Sequence, residues 1–158
     1  MKEIVVILHN IRSLYNVGSF FRTADAAGCQ KIYLTGITPT PIDVFNKPRQ
    51  QLTKVSLGAE KYVKWQQMKS ATKLLKKLKK EGYEIFCVEQ NKESIPYYKI
   101  KTHNKQKIAL ILGNEIKGLS LAILKNADKI LEIPMKGKKE SLNVSIAFGI
   151  VIFHLINN

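Results

Sequence analysis

Three short stretches of this chain carry residue types that do chemistry, at spacings that let them act together. The first is Asn16-Val17-Gly18-Ser19-Phe20-Phe21-Arg22-Thr23. It holds an amide, a glycine at a helix start, and a guanidinium four residues after the glycine on the same helix face. The second, Leu112-Gly113-Asn114-Glu115-Ile116-Lys117-Gly118-Leu119, sets an acid between two glycines directly after an apolar run. The third begins at Ile133-Pro134-Met135, passes through Lys136 to Glu140, and ends in Ser141-Leu142-Asn143-Val144-Ser145. There a strand stops at a proline, a lysine- and glycine-containing loop follows, and Ser141 or Asn143 opens a long helix, both being good N-cap types. A strand end, a polar loop and a helix N-terminus placed together suit a small polar ligand. Each stretch alone also has a plain reading: a solvated arginine, an ordinary strand-to-helix turn, and a serine that only caps.

These residues need a frame, and hydrophobic patterning supplies one. Glu3 to Leu8 (EIVVIL), Glu84 to Val88 (EIFCV) and Ile108 to Leu112 (IALIL) are short, nearly continuous apolar runs, the mark of strands buried on both faces. Lys31 to Leu34, Tyr62 to Trp65 and Lys129 to Ile133 complete the expected strands. Helices are predicted over Val17–Ala27, with Gly28 as its stop, over Lys69–Glu81, over Leu119–Asn126, and from Val144 to the end. Thr35 to Leu57 holds three prolines and reads as irregular. The alternation of strands and helices predicts an α/β fold, a mostly parallel sheet with helices on both faces. All three polar stretches then fall at C-terminal strand ends, where open α/β sheets bind ligands. The last helix is apolar nearly all round, which predicts burial on every side and points to a second copy of the chain as its cover.

The 158 residues include 26 Lys+Arg against 12 Asp+Glu, a net charge of +14 that points to a polyanion, RNA or DNA, as partner. Arg12, Lys47, Arg49 and Lys54, together with Lys73 and Lys76 on the lysine-rich helix, are the candidate phosphate contacts; for that helix a merely solvated face is the alternative. No P-loop or G-x-G-x-x-G is present, which argues against nucleoside triphosphates and a dinucleotide fold. Cys29 and Cys87 read as small buried apolar residues, no His/Cys cluster predicts a metal, and His9, His103 and His154 read as structural. The terminal apolar run is shorter than the roughly 20 residues of a membrane span, and the expected location is cytoplasmic. A single domain over 1–158, with no appended RNA-binding domain, is expected.

Taken together in this order, Asn16-x-Gly18-x-x-x-Arg22-Thr23, Gly113-Asn114-Glu115-x-x-Gly118-Leu119-Ser120, and Ile133-Pro134-Met135 with Ser141-Leu142-Asn143-Val144-Ser145 resemble the SPOUT-class RNA methyltransferases, specifically the SpoU or TrmH branch that methylates ribose 2′-hydroxyls. The resemblance spans nearly the whole chain. It implies a C-terminal trefoil knot, a homodimer through the last helix, and S-adenosylmethionine cradled by Glu89, Gly113, Ile133, Met135, Ser141 and Leu142. It also makes Arg22 the catalytic candidate; the expected lack of an appended domain favours tRNA, a compact target, as substrate, with ribosomal RNA the alternative. A guanidinium is a poor base, so the expected role of Arg22 is to stabilise the developing alkoxide and grip a phosphate. Asn16 and Asn143 are expected to orient Arg22 and the ribose, Glu115 to fix its loop or pair with Arg22, and Ser141 to belong to the same catalytic set. Other readings are a catalytically silent RNA-binding relative, a base methyltransferase of the same superfamily, and a nucleotide-binding oxidoreductase.

Overall fold

The computed structural model describes residues 1–158. In chain order the elements are β1 (Glu3–His9), α1 (Leu14–Ala26), β2 (Lys31–Thr35), α2 (Gln50–Ser56), β3 (Lys64–Met68), α3 (Ala71–Lys80), β4 (Glu84–Val88), β5 (Ile95–Pro96), β6 (Lys107–Leu112), α4 (Leu121–Leu124), β7 (Lys129–Glu132) and α5 (Val144–Asn157). The strands form one seven-stranded sheet in the order β3-β2-β1-β6-β4-β7-β5. Every pairing is parallel.

The apolar runs are doubly buried because the sheet has a core on each face. Side chains alternate along a strand. Ile4, Val6 and Leu8 of β1 and Ile108, Leu110 and Leu112 of β6 therefore enter one core, with Phe20 and Phe21 of α1, Leu52 of α2, and Phe148, Val151 and Leu155 of α5. Val5, Ile7, Ala109 and Ile111 enter the other, under Leu74, Leu75 and Leu78 of α3 and Ile123 of α4. The α/β class predicted by the pattern is the fold observed. Cys29 and Cys87 are buried within these cores, and burial pushes both thiols up to about 12.

Several boundaries differ from the sequence expectation, each for a local reason. Ser13 accepts from the Asn16 amide, so α1 begins at Leu14 rather than Val17. Ser70 caps α3, leaving Lys69 outside. The third strand lies at Lys64–Met68, because a 3₁₀ turn over Ala59–Lys61 occupies the preceding stretch. It is an edge strand, its polar KWQQM sequence mostly exposed, so periodicity marks it weakly. The irregular region contains α2, which ends at Leu57 in the left-handed region (φ 52°). The helix expected over Leu119–Asn126 shortens to Leu121–Leu124 with Ser120 as its cap, and the two-residue β5 was not expected at all.

The terminal helix is not covered on every side within one chain. Ser145, Phe148, Val151, Ile152 and Leu155 are buried, whereas Ile146 and Phe153 are 55% and 42% exposed. Its last turn is tied down: Lys2 Nζ and Thr102 Oγ1 donate to the Leu155 carbonyl at 2.8 and 3.1 Å. His154 contacts the Ile100 carbonyl at 3.1 Å and packs edge-on against Tyr97, a structural role. No helix is long and apolar enough to cross a membrane.

Candidate active site

β6, β4 and β7 are adjacent and parallel, so their C-terminal ends share one edge. The segments leaving those ends enclose a cavity of about 340 Å³. That volume lies within the roughly 300–1,000 Å³ typical of small-molecule sites. Glu89, Gly113, Ile133, Met135, Ser141 and Leu142 all line it. Sequence reading missed other lining residues, among them Gln90, Leu112, Glu132 and Glu140. Parallel register is the signal that finds Gln90, Leu112 and Glu132, since each lies at or beside the end of a paired strand; Glu140 adjoins Ser141 in the loop before α5.

Two glycines make the cavity wall possible. A Cβ on Gly113 would lie 2.6 Å from Leu119 Cδ2 and 2.8 Å from the Gly118 carbonyl. Gly118 has φ +65° and abuts the Glu89 carboxylate. The turn closes on that carboxylate: Leu119 N–H donates to Glu89 Oε2 at 2.9 Å, and Gln90 N–H to Oε1 at 2.9 Å. Glu89 thus fastens the turn after β6 to the end of β4. Gly18 permits the close backbone approach expected of a glycine at a helix start, and the approaching segment is α2. It is buried, and a Cβ there would strike the backbone of Leu52, so it lets α1 and α2 pack closely.

A single line of hydrogen bonds joins the three stretches. Glu115 accepts from Arg12 N–H at 3.1 Å, Ser13 N–H at 3.3 Å and Asn16 Nδ2 at 3.4 Å. Asn16 Oδ1 accepts from Asn143 Nδ2 at 3.1 Å. Asn143 Oδ1 in turn accepts from Ser145 N–H at 2.9 Å and Ser145 Oγ at 2.6 Å. Each amide is fixed in orientation because both ends are engaged. Asn114 adds a fourth tie, donating to the Asn10 carbonyl at 3.0 Å. Burial pushes the Glu115 carboxyl upward, but the N–H donors outweigh it and hold the group below the usual carboxylate range.

The structure revises several expected roles. Asn143 caps α5; Ser141 lines the cavity and does not cap. Glu115 is not paired with Arg22: its partners are the Arg12 and Ser13 amides and Asn16. Arg22 is exposed, lies outside the cavity lining, and forms no ion pair within the chain. It sits six residues beyond Asn16, about 9 Å along α1 at 1.5 Å per residue. The neighbouring Thr23 side chain lies 3.9 Å from where a Cβ on Gly149 would be, so this part of α1 borders the exposed side of α5. Arg12, Lys47 and Lys54 are exposed and Arg49 half-buried on the α1/α2 side of the sheet; Lys73 and Lys76 stand on α3, across the sheet. The predicted phosphate contacts therefore form two separate surfaces.

The cavity's charge runs against that of the chain. Its charged lining residues are Glu89, Glu115, Glu132 and Glu140, with no lysine or arginine, in a protein of net charge +14. Such a pocket favours a cationic small molecule; the basic outer surface favours a polyanion.

Comparison with known proteins agrees with this geometry. Residues 3–153 match the model of the SpoU rRNA Methylase family. An uncharacterized tRNA/rRNA methyltransferase of Borreliella burgdorferi is 33% identical over 151 residues, covering 96% of this chain and 62% of the relative. A tRNA (guanosine(18)-2′-O)-methyltransferase of Aquifex aeolicus is 29% identical over 152 residues, covering 96% and 68%. The AdoMet-bound rRNA methyltransferase structure from Sinorhizobium meliloti superimposes with a TM-score of 0.85 at 28% identity, covering 96% of this chain and 55% of that one. The chain thus spans about 62% and 68% of the length of these two curated relatives.

Proposed function

The chain belongs to the SpoU methylase family, and on that premise we propose that it transfers a methyl group from S-adenosylmethionine to a ribose 2′-hydroxyl of RNA. The observation that carries the reading is the acidic cavity at the ends of β4, β6 and β7, held together by the Glu115–Asn16–Asn143 line. When bound, the donor supplies an electrophilic methyl on a positively charged sulfur. The cavity's chemistry suits it: four carboxylates for a cation, apolar Leu112, Leu131, Ile133 and Leu142 for a flat ring, and glycine-permitted backbone at close range. Glu89, Gly113, Ile133, Met135, Ser141 and Leu142 would hold it.

The chain's own residues supply the rest. A 2′-hydroxyl becomes nucleophilic as it loses its proton, and the oxygen gains negative charge. Arg22 stabilises that charge and grips an adjacent phosphate through its planar fork of donors. Asn16 and Asn143 fix the start of α1 against the start of α5, and so set where Arg22 stands relative to the cavity. The proton leaves to phosphate or water. We place the dimer contact on the exposed Ile146 and Phe153 side of α5, which borders the Arg22 region and loses its apolar exposure there. The deep knot in the β6-to-α5 region and a cytoplasmic setting belong to the same proposal. For the RNA we favour tRNA, with ribosomal RNA as the other outcome; the relatives include proteins named for each.

The test is transfer of a radiolabelled methyl group to tRNA and to ribosomal RNA, followed by nuclease digestion and mass spectrometry. A 2′-O-methylnucleoside is expected. Label on a base nitrogen, or none on either RNA while the protein binds the donor, contradicts the proposal.

A further inference from the structure

The segment between β2 and α2 plays no part in the mechanism above, yet it is carefully built. It leaves β2 at the sheet edge that carries the cavity, and β2 lies two strands from β6, roughly 10 Å at the usual strand spacing. Its Pro41–Arg49 portion is an ordered hairpin-like turn. Ile42 bridges Pro48. Asp43 N–H donates to the Lys47 carbonyl at 2.8 Å and Arg49 N–H to the Pro41 carbonyl at 2.9 Å. The Asp43 carboxylate accepts from the amides of Phe45 at 2.8 Å and Lys47 at 3.0 Å, and Asn46 takes the left-handed conformation, φ 61°.

What this turn holds out is apolar. Val44 and Phe45 are 90% and 79% exposed at its tip. An ordered phenyl ring in water gains nothing from the chain that orders it; the gain comes when a second molecule covers it. The surroundings identify that molecule's chemistry. Lys47 and Arg49 follow the tip within the turn, Lys54 stands on the helix the turn leads into, and the one acid of the turn, Asp43, has its carboxylate engaged by backbone amides. Arg49 Nε is buried without a hydrogen-bond partner. Lysine is depleted in protein–protein interface cores, whereas an aromatic ring rimmed by cations is the usual platform for an unpaired nucleotide.

We propose that Phe45 is a stacking platform for an unpaired base of the RNA substrate, with Lys47, Arg49 and Lys54 on the flanking phosphates. This rests on the RNA reading above and adds to it a preference for single-stranded or loop RNA. The test uses the whole chain with an oligouridylate, an RNA duplex of equal length and bulk tRNA. Phe45→Ala is expected to raise the Kd for oligouridylate and tRNA about tenfold, with the salt slope unchanged, and to leave duplex binding unaltered. Lys47→Ala is expected to lower the salt slope instead. Phe45→Trp, read in a Trp65→Phe background because Trp65 is the chain's single tryptophan, is expected to retain affinity and show emission quenched by oligouridylate. Unchanged RNA affinity in Phe45→Ala overturns the proposal, whether or not the variant's oligomeric state changes on sedimentation. If Phe45 governs RNA binding and no RNA is methylated, the methyltransferase reading falls and the platform stands; if methylation proceeds and Phe45→Ala is neutral, only the platform falls.

Discussion

The cavity and the outer face of α3 carry opposite charges and are built in opposite ways. In the cavity, acids are fixed by direction: Glu89 Oε2 takes the Leu119 amide at 2.9 Å, and Glu115 takes two backbone amides and an asparagine. On α3, Lys73, Lys76 and Lys80 stand in solvent, and the ion pairs nearby are long, Lys77–Glu81 at 4.0 Å and Lys79–Asp128 at 3.8 Å. The difference separates two uses of charge. Where donors hold a group in place, its identity and position matter. Where a group is solvated, its sign and number matter, and each residue contributes little.

The sharpest way to break this contrast is at Arg22, which looks like a surface cation but is assigned to the reaction. Arg22→Ala is expected to lower methyl transfer by at least a hundredfold, about 3 kcal/mol of transition-state stabilisation, while leaving donor affinity unchanged. Single-turnover rates with calorimetry of the donor would show it; near-normal turnover would return Arg22 to the solvated class. Next is Gly113→Ala. Its added methyl meets Leu119 and the Gly118 backbone, so strain of about 1–3 kcal/mol and a donor affinity weakened tenfold or more are expected.

A subtler effect belongs to the amide line. Asn16→Ala and Asn143→Ala share the Asn143 Nδ2–Asn16 Oδ1 bond. Their costs should fall short of additivity by about 0.5–1.5 kcal/mol in a thermal-unfolding cycle. Additive costs would mean that the bond contributes nothing. Glu115 gives a pH signature. Its carboxyl titrates below the usual range when folded, so the stability it lends is fully present above the ordinary glutamate value of about 4.3 and fades as pH falls through the lower folded value. Glu115→Gln should flatten that acid limb only slightly, because the side chain is exposed and its charge is screened by solvent. The smallest effect is on α3: Lys73→Glu and Lys76→Glu should each alter RNA affinity by severalfold or less, reducing the salt slope without touching the rate of transfer.

How much of this could be read from residues follows the same division. The doubly buried strands were legible because apolar runs such as IALIL leave no polar face, and the six cavity residues because their motifs resemble those of the methyltransferase family. The partner of Glu115 was not legible. Its shortest bonds are to the backbone of Arg12 and Ser13, and backbone amides carry no residue-type signal. Gly18 was legible in part for a related reason: a glycine announces close approach but not what approaches, and here it is Leu52 of α2. The edge strand β3 was expected two residues early, at Tyr62 to Trp65, because an exposed strand needs no apolar alternation to fix its bounds. The separation of the α3 lysines from Lys47 and Lys54 depends on which sheet face each helix covers, a property of topology.

Titration calorimetry of the chain with S-adenosylmethionine, beside the Gly113→Ala variant, bears most directly on the cavity. The expected result is uptake of one donor molecule per chain, weakened at least tenfold by the added methyl. No heat of binding to the wild-type chain, or equal uptake by both proteins, would show that the three converging turns do not form the methyl-donor site.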